Sequence, residues 1–151
     1  MRNLKYIYFF ILLLLFDPIK AGQNSLAFHG AYTFETFDGQ RASAVYVSIF
    51  NNTNEDFSIY SVSTDVAERT EIHGIETKEE IVKMKKKKKL LIKSKEQVFL
   101  QPGGTHLMLM GLKKKLTDGS SFYLEFLLSN GNVNKVKVLV LNKKMRENFI
   151  E

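Results

Sequence analysis

Short runs of β-forming residues, each closed by a cluster of turn residues, recur along most of this chain. No other feature restricts its fold as much. Ala44-Val-Tyr-Val-Ser-Ile-Phe50 stops at Asn51-Asn-Thr-Asn-Glu-Asp56, and Phe57-Ser-Ile-Tyr-Ser-Val62 follows with partial alternation. Glu71-Ile-His73 and Ile81-Val-Lys-Met84 flank a polar stretch. Gln97-Val-Phe-Leu100 ends at Gln101-Pro-Gly-Gly104, a turn signal, and Thr105-His-Leu-Met-Leu-Met110 comes next. Phe122 to Leu128 and Val133 to Leu141 are separated by Ser129-Asn-Gly-Asn132, which reads as a hairpin with a primed turn. Val66 to Thr70 is ambiguous and admits a short helical turn. Several short strands at this spacing predict an all-β chain, an antiparallel sandwich or barrel.

The ends read differently. Arg2 and Lys5 precede an uncharged run from Tyr6 to Phe16, which Asp17-Pro18 breaks before Ala21. That is the layout of a secretory signal peptide, residues 1–21. Eleven residues make only ~16 Å of helix, too short for a hydrocarbon core of roughly 30 Å. The expected organisation is therefore a signal peptide at 1–21, one β domain at 22–141 and a polar tail at 142–151. Export leaves a chain with 19 basic and 15 acidic groups, because the 22 and 16 of the whole sequence lose three and one. Lys83 and Lys85 to Lys89 hold much of the excess, as a solvated turn or as a dock for an acidic partner or anionic lipid. Nucleic acid is not an expected partner, since no aromatic residues interleave with the lysines. With no cysteine in 151 residues, disulfides, thiolate zinc, iron–sulfur and blue-copper sites are excluded.

The residues that suggest chemistry are histidine and methionine. Three histidines and four methionines follow residue 21, and two of each fall in the order His73-x10-Met84-x21-His106-x-Met108. Copper(I) is soft and accepts both thioether and imidazole. Methionine binds it without losing a proton, whereas imidazole binds only when neutral, so binding weakens below roughly pH 6.5. A thiol-free donor set suits an oxidising compartment. Side chains two apart on a strand share a face, so His106 and Met108 should point together with Met110, and Leu107 and Leu109 away. His29 lies outside the pattern and reads as structural or solvent-facing. Asn51-Asn-Thr53 matches a glycosylation sequon but reads as a turn.

This spacing, with Glu71-Ile-His73 and Gln101-Pro-Gly-Gly-Thr-His-Leu-Met-Leu-Met-Gly-Leu112 around it, resembles the periplasmic copper chaperones of the PCuAC type. Ala44-Val-Tyr-Val-Ser-Ile-Phe-Asn51 resembles the family's early strand, and the likeness covers roughly residues 27–141. It implies a cupredoxin-like β-sandwich, a periplasmic location and one copper(I) ion held by His73, Met84, His106 and Met108. It also implies delivery to the binuclear copper centre of cytochrome c oxidase; another periplasmic copper protein is the other expected partner, and the expected state is a monomer. Two departures stand out: Ala31-Tyr32 replaces a common Ala-Trp pair, and the tail has only Met145 in place of a His/Met-rich extension.

Enzyme motifs are lacking: the sequence contains no Gly-x-Ser-x-Gly, no His-Glu-x-x-His and no Gly-x-x-x-x-Gly-Lys-Ser/Thr. Two other functions fit the residues. One is a metal-free interaction module working through its lysine surface, and the other is copper buffering instead of delivery.

Overall fold

Alternation of apolar and polar side chains sets the strands. In a computed structural model, which describes residues 26–78 and 81–145, β9 (Ser121–Leu128) buries Phe122, Leu124, Phe126 and Leu128 and exposes the residues between. Strand β10 (Val133–Leu141) buries Val136, Val138 and Val140, and β2 (Ala42–Phe50) buries Ser43, Val45, Val47 and Ile49. The remaining strands are β1 (Ala27–Phe34), β3 (Phe57–Ser63), β4 (Ala67–Lys78), β5 (Ile81–Lys87), β6 (Leu90–Ile92), β7 (Gln97–Leu100) and β8 (His106–Leu112). The expected signal peptide and residues 146–151 of the expected tail lie outside the described residues. Residues 143–145 form a short 3-10 turn.

The strands hydrogen-bond in the order β5-β4-β8-β2-β1-β10-β9-β3-β6, with β7 also on β2. The path folds over on itself around one apolar core, which is the all-β sandwich expected. One pair departs from antiparallel order, because β1 runs parallel to β10. Strand β2 serves both layers. Its residues 42–45 pair with β8, and its residues 47–50 pair with β7. Val45, Leu107, Leu109, Leu124 and Phe126 all lie in the shared cluster, and removing such groups from water is the main force closing the sandwich.

Two turns bear on the sequence reading. Gln101-Pro-Gly-Gly104 forms a turn closed by the Gly104 N–H donating to the Gln101 carbonyl at 3.0 Å. Gly103 has φ 71° after proline, the backbone of a type II turn. This turn separates β7 from β8 and sets His106 at the start of β8. The β9–β10 hairpin is not primed. Gly131 N–H donates to Leu128 carbonyl, so Ser129 and Asn130 are the central residues, and neither has positive φ. Gly131 itself, at φ 82°, absorbs the left-handed position that a type I turn followed by a bulge requires. Val66 to Thr70 shows no helical turn, because β4 begins at Ala67. The sequon asparagine, Asn51, is buried, and its amide donates to the carbonyls of Glu55 and Lys93 at 2.7 and 2.8 Å. Its role is to hold the turn after β2.

Candidate metal centre

Three adjacent strands carry the histidine and methionine residues, and pairing brings the two histidines opposite each other. On β8, Leu107 and Leu109 are fully buried, so His106, Met108 and Met110 take the outer face. Antiparallel pairing puts His73 of β4 directly opposite His106, and Glu71 opposite Met108. Pairing of β4 with β5 puts Lys86 opposite His73 and Met84 opposite Ile75. Met84 and Met108 are therefore the two diagonal neighbours of His73 on a single face, at the ~7–8 Å spacing of such positions. The two imidazole rings lie 5.9 Å apart between centroids, inclined at 61°.

The histidines are oriented from behind. His106 is buried, and its Nδ1 lies 3.0 Å from the Gly104 carbonyl. A carbonyl only accepts, so Nδ1 carries the proton and Nε2 keeps its lone pair for a ligand. His73 Nε2 lies 3.0 Å from Glu71 Oε2. A carboxylate likewise accepts, which leaves Nδ1 of a neutral His73 as the free donor atom. A carboxylate behind a ligating histidine fixes the ring. Met84 is the contrasting member, 68% exposed on the edge strand β5.

Sequence reasoning missed Glu71 as a participant. It sits among the candidate ligands, accepts from Lys86 Nζ at 2.9 Å through Oε1, and has Arg69 Nε at 3.5 Å. The hydrogen bonds from His73 and Lys86 hold its carboxyl down at about 2, against an ordinary 4.5. The period-two rule could have found it, since Glu71 is two residues before His73 on the same strand face. Met110 shares the outer face but lies opposite Arg69, away from the histidine pair. His29 is not brought to this face. It lies on β1 opposite Ser48, with its ring edge-on to Phe50. Met108 also borders an open cavity of about 330 Å³ with Phe34, Phe37 and Tyr46. Among the described residues no three His, Asp or Glu side chains gather as a metal cluster.

A sequence profile of the lipoprotein LpqE-like family matches residues 26–140, about three-quarters of the chain. The chain belongs to the LpqE-like family. A curated relative of this LpqE-like chain, the uncharacterized protein RP573 of Rickettsia prowazekii (strain Madrid E), is 30% identical over 101 residues, 66% of this chain. The chain spans just over half of that relative, 56% of its length. Among solved structures, the copper-bound PCuAC domain from PmoF2 superposes with a TM-score of 0.66 at 12% identity, covering 78% of this chain and 92% of that one. The apo PCuAC domain from PmoF1 gives 0.64 at 19% identity, covering 76% and 92%. The solution structure of CuI-DR1885 from Deinococcus radiodurans gives 0.63 at 21%, covering 86% and 87%. The LpqE-like chain thus has the fold of the PCuAC domains, as the resemblance in its sequence implied.

Proposed function

We propose that the protein is an exported copper(I) chaperone that holds one ion between His73, Met84, His106 and Met108 in the periplasm and passes it on. The observation that carries this reading is the register of β5, β4 and β8, which places all four side chains on one outer face. Two imidazoles at metal–nitrogen lengths of ~2.0–2.1 Å can share an ion at the ring separation seen here. Thioethers complete a soft donor set that suits copper(I). The copper-bound forms of the PmoF2 domain and DR1885 support copper as the cargo. The acceptor we propose is the copper-bearing subunit of cytochrome c oxidase or another periplasmic copper protein, and the role is binding, not catalysis.

The exposure of Met84 favours delivery over storage. Transfer by ligand exchange needs an entering group to replace a leaving one, and an exposed thioether on an edge strand is the member most open to replacement. The test is an anaerobic copper(I) competition titration on residues 22–151, with His106→Ala and Met84→Leu beside it. One tight equivalent, lost in His106→Ala, supports the site, and binding indifferent to His106 removes it. A Met84→Leu protein that transfers copper at the full rate would sink the exchange role of Met84.

A further inference from the structure

We infer that β5 and the residues just after it form an electrostatic dock for an acidic protein face, which brings a partner's groups against Met84. Its purpose rests on the copper reading above; its test does not. Lys83 and Lys85 to Lys89 place six ammonium groups in seven consecutive positions, every one of them exposed. Strand alternation puts Lys83, Lys85 and Lys87 on one face of β5, and Met84 and Lys86 on the other, which is the face of the histidines. Lys86 is drawn to Glu71. Among the described residues strand β5 ends the hydrogen-bonded path, so its far flank faces outward.

Such a concentration of one charge steers an acidic surface into register and speeds encounter. It also repels a free copper ion, so cargo is better exchanged with a docked protein than with solution. An anionic bilayer fits less well. Stable attachment of a basic segment to a membrane takes a second signal, such as an inserted apolar group. Between Lys83 and Lys89 the only apolar side chain is Met84, and the proposed site claims it.

The test uses the full chain without copper and a fluorescein-labelled Asp/Glu-rich peptide, read by anisotropy across salt concentrations. Two charge-matched variants are compared after circular dichroism shows both folded. One carries Lys83→Gln, Lys88→Gln and Lys89→Gln; the other carries Lys113→Gln, Lys114→Gln and Lys115→Gln, all exposed and outside this segment. The dock predicts that the first weakens peptide binding about tenfold at low salt and the second less than about twofold. The difference should vanish near 1 M salt, where the screening length is about 3 Å. Equal loss in both variants reduces the effect to net charge and overturns the dock. A first variant that self-associates but keeps its peptide affinity overturns it too, since lysines on an edge strand also block sheet-to-sheet pairing. Tighter binding to phosphatidylglycerol vesicles than to peptide, lost in the same variant, would assign the surface to lipid instead. Because no copper is present, failure here leaves the copper site standing, and a failed copper titration leaves the dock standing.

Discussion

Glu71 serves three neighbours with one carboxylate. It steadies the His73 ring, takes a hydrogen bond from Lys86 and lies within ion-pair reach of Arg69. Its depressed pKa has a sign that can be worked out. The unfolded chain binds a proton at this group near 4.5, while the folded chain does not until about 2. The contribution to stability is therefore present in full above about 4.5 and is lost as pH falls towards 2. In Glu71→Gln the thermal unfolding midpoint should vary less between pH 4.5 and 2.5 than in the unaltered protein. Parallel pH profiles for the two proteins would refute the assignment. The residue shows what one sequence can hide. His73 and Glu71 are two apart and share a face by strand geometry alone, but Lys86 joins them only through the β4–β5 register.

At the scale of elements, the strands were legible where alternation was clean, as in β2, β8, β9 and β10. Turn chemistry was legible in kind but not always in type. Gln101-Pro-Gly-Gly104 was legible as a turn, and the structure makes it type II, because proline fixes φ and Gly103 accepts a positive value. Ser129-Asn-Gly-Asn132 suggested a primed turn, but the glycine sits one position too late and supplies the bulge instead. Gly131 has open space around its missing side chain, so Gly131→Ala tests backbone conformation alone. Urea unfolding should show a loss of about 1 kcal/mol. An unchanged midpoint would mean that the hairpin can adopt another turn at no cost. The parallel pairing of β1 with β10 had no local signal, because it joins segments from opposite ends of the domain.

For the whole molecule, stability has to come from packing, since there is no cysteine to staple it. Phe126 is fully buried and meets Phe28 at 4.6 Å between ring centroids. Phe126→Ala should cost about 3–5 kcal/mol in denaturant unfolding. A domain of this kind holds only ~5–15 kcal/mol in total, so the variant should lie near its limit at 37 °C. A loss below about 1 kcal/mol would show that the core collapses around the gap. The likeness to the PCuAC fold was legible from a few motif residues, whereas the layer-crossing path of β2 was not, because it depends on pairings fixed only when the sandwich closes.

His73 and His106 face each other across two hydrogen-bonded strands. Their backbones are therefore fixed at ladder spacing, ~4.7–4.9 Å between strands, and neither can retreat without breaking β4 from β8. A grip built this way has one stationary jaw and one free finger. Opening it by thermal motion falls to β5, which among the described residues pairs on one side only. The mechanical compliance of the proposed centre is thus concentrated in β5, and stiffening that strand, by pairing its outer edge, should lengthen the time any cargo stays in hand.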